Sequence, residues 1–141
     1  LQNPRYKSLA ELSTGRAIPG VEGNQIGRFP KVLASFTPTL DFDLFGYRSK
    51  GYATLSYQGQ RYVDSNNATR LPAYTTLDAG LIVDLDSHLR LQVAGSNLTN
   101  EIGLTEGNPR TDALVGQGTS DAIYARPIFG RTLRMSLTYS W

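Results

Sequence analysis

Apolar and polar residues alternate in twos along most of this chain after residue 30. At the C-terminal end, "FGRTLRMSLTYSW" sets Phe129, Arg131, Leu133, Met135, Leu137, Tyr139 and Trp141 on one side. Gly130, Thr132, Arg134, Ser136, Thr138 and Ser140 fall on the other. Successive side chains of a strand point to opposite faces, so this is a strand with one apolar and one polar face. The same period places Val32, Ala34, Phe36, Leu40, Phe42 and Leu44 opposite Ser35, Thr37, Thr39, Asp41 and Asp43. Pro38 lies inside that run and cannot donate to a ladder, which predicts an edge strand or a bulge. Further on, Ala53, Leu55, Tyr57 and Val63 alternate with Thr54, Ser56, Gln58 and Gln60. Leu77, Ala79, Leu81, Val83 and Leu85 oppose Thr76, Asp78, Gly80, Ile82 and Asp84, with Ile82 the main exception, and Leu89, Leu91 and Val93 oppose Arg90, Gln92, Ala94 and Ser96. The pattern predicts an all-β antiparallel meander with strands at roughly 31–43, 51–63, 73–85, 88–99 and 129–141. The Gly- and Pro-punctuated residues 1–30 read mostly as loop, with a short ordered piece at Tyr6–Leu12.

The connections alternate too. Those at 44–51 and 86–88 are short, whereas 64–72 and 101–122 are long and rich in Asn, Gly, Thr and Pro. Short turns at one end and long loops at the other is the layout of an outer-membrane barrel, although soluble meanders imitate it. No apolar run approaches the ~20 residues of a membrane-spanning helix, so two classes stay open: a soluble β-sandwich and a membrane β-barrel. Phe129 and Tyr139 lie ten residues apart on one face, roughly 34 Å along a strand at ~3.4 Å per residue. With a tilt of ~40° this projects to about 26 Å, near the ~25 Å apolar band that aromatic girdles bracket. On the barrel reading, Arg at Leu81 or Leu137 faces lipid, while Arg at Gly80 or Ser136 faces a wet lumen and is tolerated.

Composition removes several functions. The 141 residues suit one domain, and a net charge of +2 with scattered basic residues predicts no nucleic-acid partner. There are no cysteines, hence no disulfides or thiolate metal sites. The chain starts "LQNPRYK", with neither an initiator Met nor a leader pattern, which predicts a removed leader or the tail of a longer protein. The one His, His88, sits in a tight turn beside Asp86, where solvation is the ordinary state. No nucleophile elbow occurs, since Ser96 in "VAGSNL" has no His for a triad. "GQGTSD" carries Asp121 where a dinucleotide loop needs its third Gly. Asp41, Asp43, Asp78 and Asp84 fall on the polar faces of different strands, as a wet lumen wall requires. Neither an enzyme nor a metal or cofactor site is expected.

Three segments then acquire a further meaning. "YQGQRYVDSNNATRLPAYTTLDAGL", "LRLQVAGSNLTNEIGLTEGNPR" and "YARPIFGRTLRMSLTYSW" carry Tyr74, Leu77, Asp78 and Gly80, then Asn97, Leu98, Asn100 and Glu101. Glu106-Gly107-Asn108-Pro109-Arg110, Arg126-Pro127, Gly130-Arg131 and a terminal aromatic follow. This succession, from Gly27 to Trp141, resembles the C-terminal barrel strands of TonB-dependent outer-membrane receptors. The resemblance implies a transmembrane barrel of about 22 strands around a plug, of which this chain is a C-terminal part. It implies active transport of a scarce nutrient (ferric siderophore, cobalamin or oligosaccharide) across the outer membrane of a Gram-negative bacterium. The implied partners are outer-membrane lipid, the barrel-assembly machinery, the receptor's own plug domain, a TonB-type energy transducer and the nutrient ligand. The last strand, Leu133, Met135, Leu137, Tyr139 and Trp141, stands where the family carries its assembly signal, with Trp141 where Phe is commoner. A soluble lipocalin-like binding barrel and a passive porin remain as alternatives.

For ligand capture the candidates are Asn66 in the 64–72 loop and Glu106, Asn108, Arg110 and Asp112 in the 101–122 loop. Loops this long are usually functional or disordered, and Arg110 can grip a carboxylate or catecholate-type oxygen in bidentate fashion. The plainer reading makes Asn108-Pro109 a bend and pairs Arg110 with Glu106.

Overall fold

The computed structural model describes residues 3–8, 15, 17, 19–111 and 118–141, and of these the side chains outside 109–122. Leu9–Leu12, four of the seven residues of the ordered piece expected at Tyr6–Leu12, lie outside the described residues. The chain separates into two compact units, one of residues 1–33, 58–74 and 103–128 and one of 34–57, 75–102 and 129–141.

The second unit is a wall of antiparallel strands. β1 (Leu33–Phe36) and β2 (Thr39–Leu44) both pair with β3 (Tyr47–Gln58), and the sheet continues through β6 (Tyr74–Asp84), β7 (Leu89–Ser96) and β10 (Thr132–Tyr139). Taking β1 and β2, which lie along the same side of β3, as one interrupted strand, each wall strand pairs with the next in sequence, so the sheet is a meander whose edges are β1 with β2 and β10. Pro38 separates β1 from β2. Its carbonyl accepts from Ala53 N at 3.2 Å, but its nitrogen has no hydrogen to return, and the ladder lapses there.

The turn between β2 and β3 is much tighter than the expected 44–51 link. Phe45 (φ 52°) and Gly46 (φ 87°) both adopt left-handed φ, the two-residue type I′ geometry whose twist suits a hairpin. β3 therefore begins at Tyr47. Between β6 and β7 the Asp86 carboxylate accepts from His88 N (2.6 Å) and Leu89 N (2.9 Å), which closes that turn.

Register places the apolar residues together. Leu81 faces Val93, Val83 faces Leu91, and Leu133, Met135, Leu137 and Tyr139 face Gly95, Val93, Leu91 and Leu89. Asp41 faces Lys50, Asp43 faces Arg48, Ile82 faces Gln92 and Asp84 faces Arg90 on the other side. Gly80 is also on the polar face, yet it is not open to a lumen. A Cβ there would lie 2.4 Å from the ring of Tyr52, so the phenol roofs the glycine and an Arg at this position meets a clash. The strand 129–141 is shorter than expected: Phe129–Arg131 stand outside β10, so Phe129 does not mark one end of a ten-residue girdle spacing.

The first unit carries most of the buried apolar side chains: Val21, Val63 and Leu71, where the wall has Val83. The expected strand 51–63 divides here. β3 stops at Gln58, and Arg61–Tyr62 form β4, which pairs with β5 (Arg70–Leu71). The stretch 101–122, expected to be loop, holds β8 (Leu104–Thr111), paired with β9 (Gly118–Pro127). The ladder tolerates its Gly, Asn and Pro residues through register shifts at Leu104/Glu106 and Pro109/Thr111. The N-terminal segment is tied in by the Arg5↔Gln25 bridge and by bonds between Tyr6 and both Gly23 and Asn24 at 2.9 Å.

Candidate functional site

The first unit brings Glu106 and Asn108 side by side on β8, two residues apart and thus on one face. Arg28 is a partner that they share. Arg28 Nε lies 3.1 Å from Glu106 Oε1, and its Nη2 donates to Asn108 Oδ1 at 2.9 Å. Arg28 is held in a left-handed conformation (φ 71°), with its N–H donating to Tyr62 O. All three side chains remain accessible to solvent, so the cluster offers a cation, a carboxylate and an amide at one spot. An anionic ligand there competes with Glu106 for the guanidinium.

Beneath this face the unit is built tightly. Gly107 packs where a Cβ would come within 3.0 Å of Val63 and 3.1 Å of Leu71, so Glu106 and Asn108 flank a position that admits only glycine without movement. Arg61, 3% exposed, donates to Leu104 O (2.7 Å) and Thr105 O (2.5 Å), which satisfies a buried charge with the carbonyls that begin β8. Tyr74 Oη and the Gln58 amide are 3.0 Å apart.

In the 64–72 loop the expected candidate, Asn66, is exposed at the tip. Its neighbour Asn67 ties the loop to the N-terminal segment. The Asn67 amide accepts from Gln25 N and donates to Gln25 O, both at 2.8 Å, like an added strand partner. Asp64 accepts from Ala68 N (2.9 Å) and Thr69 N (2.7 Å) and shapes the turn. The side chain of Arg110 and the whole of Asp112 lie outside the described residues. Among the described residues no group of three His, Asp or Glu is arranged to hold a metal ion.

On the wall's polar face, charges of both signs gather at the turn end: Asp84 with Arg90 at 2.6 Å, Asp41 with Lys50 at 3.6 Å, and Asp43 opposite Arg48. A pocket of about 500 Å³ opens there beside Arg48, Asp84, His88, Arg90 and Thr138. Nearer the long loops the same face carries hydroxyls, with Thr37 and Thr54 3.0 Å apart and Ser35 and Ser56 3.4 Å apart. At the end of the chain Leu133, Met135, Leu137 and Tyr139 expose their side chains along the apolar face, and Trp141 projects fully beyond β10. The His88 ring stacks on Tyr139 at 6.1 Å, and Ser140 N donates to His88 O at 2.8 Å.

A second polar cluster sits at the other end of the wall. Asn97, 5% exposed with φ 48°, receives on Oδ1 the Glu101 N–H (2.8 Å) and donates from Nδ2 to Glu101 O and Phe129 O, both at 3.0 Å. Its own N–H donates to Asp78 Oδ1 at 2.7 Å, and Asn100 Oδ1 accepts from Arg131 N at 3.1 Å. These residues belong to the motif succession read from the sequence. Apart from the local Asn97–Glu101 pair, their bonding was not legible there, because the other partners lie 19 to 32 residues away.

Among solved structures, the chain is similar to the ferric yersiniabactin uptake receptor FyuA from Yersinia pestis, with a TM-score of 0.72 and 20% identity over 84% of this chain. It is also similar to the siderophore receptor PiuA from Acinetobacter baumannii, with a TM-score of 0.67 and 20% identity over 94% of this chain. It spans 17% of the length of either receptor, and at this identity the likeness speaks for the fold alone. No curated protein matches the sequence. The family model described as TonB dependent receptor-like, beta-barrel, matches residues 6–98. That match covers most of the chain and agrees with a meander of strands with unlike faces, and the chain belongs to the TonB-dependent receptor β-barrel family.

Proposed function

We propose that this chain is the C-terminal barrel portion of an outer-membrane receptor that actively takes up a scarce nutrient, with a ferric siderophore as its ligand. The observation that carries the reading is the wall with its apolar side chains on one face and paired charges and hydroxyls on the other. In a barrel the apolar face meets lipid and the polar face lines a wet interior, which the receptor's plug domain fills. The siderophore assignment follows the two similar receptors; cobalamin and oligosaccharides are the other substrates that would suit such a wall. Energy reaches the plug through a TonB-type transducer, and the barrel-assembly machinery inserts the wall through β10 and the Trp141 beyond it. Residues 64–72 and the segment that carries β8 and β9 meet the ligand first, with Glu106 and Asn108 beside Arg28, and with Asn66, Arg110 and Asp112 in the same two segments.

The test is uptake by cells that carry or lack the receptor gene, under iron limitation, with radiolabelled ferric siderophores and with cobalamin. Receptor-dependent iron uptake that a protonophore abolishes supports the reading. Uptake of cobalamin alone would replace the ligand, and flux that survives the protonophore would make the protein a passive pore.

A further inference from the structure

The alternation that builds β10 does not choose its register. Leu133, Met135 and Leu137 repeat with period two, as do Thr132, Arg134, Ser136 and Thr138, so a slip of two residues against β7 keeps every apolar side chain on the apolar face. Something outside the ladder has to select Thr132↔Ser96 over its neighbours two residues away. We infer that Asn97, Leu98 and Asn100 form a clasp that sets the register of β10 against β7.

Two independent contacts carry this. The first is polar and grips backbone just before β10: Asn97 Nδ2 holds Phe129 O at 3.0 Å, and Asn100 Oδ1 takes the Arg131 N–H at 3.1 Å. The clasp is itself braced on β6, where Asp78 Oδ1 accepts from Asn97 N at 2.7 Å and Leu77 O accepts from Leu98 N at 2.7 Å. The second contact is steric. The side chain of Leu98 fills the space where a Cβ of Gly95 would stand (2.4 Å), and Leu133 of β10 reaches the same space (2.9 Å). Gly95 is the register partner of Leu133, so the glycine, the Leu98 side chain and Leu133 fit only when those two residues face each other. A slip of two would present Arg131 or Met135 to that gap.

Both asparagines sit at left-handed φ (48° and 54°), so Asn→Gly keeps the backbone conformation and removes only the side-chain bonds.

The experiment uses the receptor assembled in the outer membrane, with cysteine pairs bridged by a short thiol crosslinker. Gln92→Cys with Ser136→Cys reports the register seen here, and Gln92→Cys with Arg134→Cys or Thr138→Cys reports a slip of two either way. With the clasp intact, the 92–136 pair is expected to dominate. In Asn97→Gly and Asn100→Gly the ratio of native to slipped crosslink is expected to fall about fivefold each, the usual weight of the one hydrogen bond that each side chain makes to residues 129–131. An unchanged ratio in both variants overturns the clasp. If Asn97→Gly does not reach the membrane, Asn100→Gly alone decides, because it loses a single bond at the rim, and an unchanged ratio there overturns the proposal.

Discussion

Replacing Gly80 by Ala tests how the polar face of the wall is packed. The added methyl would stand 2.4–2.5 Å from Cζ, Oη and Cε1 of Tyr52, where carbon atoms normally rest at about 3.5–4.0 Å. The ring has to swing aside by more than about 1 Å, an overpacking that costs about 1–3 kcal/mol. Against this, Gly→Ala in a strand restores about 0.5–1 kcal/mol by reducing the freedom of the unfolded chain. The net expectation is a loss of about 0.5–2 kcal/mol with Tyr52 present. In a Tyr52→Ala background the obstacle is gone, and Gly80→Ala should stabilise by about 0.5 kcal/mol. The coupling between the two positions is therefore about 1–3 kcal/mol, read from a double-mutant cycle. The assay is urea unfolding of the receptor in liposomes, followed by loss of the heat-resistant band on a gel. Equal effects of Gly80→Ala in both backgrounds would falsify the roof of Tyr52 over Gly80.

Further outcomes follow from other parts of the wall and loops. Leu137→Arg is expected to cost about 2–4 kcal/mol in a bilayer and Ser136→Arg much less; equal losses in liposome unfolding would contradict the faces assigned to β10. Deleting Trp141, or changing it to Asp, should block outer-membrane assembly while synthesis continues, and normal membrane levels of the truncated receptor would sink its role as an assembly signal. Replacing 108–121 by a Gly-Ser linker leaves the Arg61 acceptors on Leu104 and Thr105 and the Gly107 seat in place. The folded band should persist while ligand affinity falls, and unchanged uptake would reduce this segment to a connector.

What was legible in the sequence is what local periodicity encodes. The wall strands announce themselves because a two-residue period is written in each of them, and even Pro38 declares its effect. The hairpin at Phe45-Gly46 lacks the Asn-Gly or Asp-Gly signal that left-handed turns usually carry, so the turn read as longer than it is. β8 and β9 were illegible for another reason. Their Gly107, Pro109 and Gly118 read as loop punctuation, and it is pairing with each other, through register shifts, that makes them strands. The cluster of Arg28, Glu106 and Asn108 shows the same limit at longer range. Arg28, which pairs with Glu106, lies 78 positions earlier in the sequence, and Asn108 meets it across 80. Residues that tie distant segments, such as Asn67, Arg61 and Asn97, leave no local trace beyond their identity.

The scarcity of buried apolar side chains in the wall has a calorimetric consequence. Val83 is its buried hydrophobic residue among those described, while Leu40, Leu55, Leu133, Met135 and Leu137 are half exposed or more. In a bilayer these side chains are already solvated by hydrocarbon, so disrupting the wall's strand pairing there transfers little of their surface into water. The large positive heat-capacity change of globular unfolding, about 12–15 cal/mol/K per residue, comes from such transfer. The wall, melted within lipid, should therefore show a heat-capacity increment well below that figure and a stability that varies almost linearly with temperature. The loop unit closes Val21, Val63 and Leu71 away from water and should keep the curved temperature profile of an ordinary soluble core.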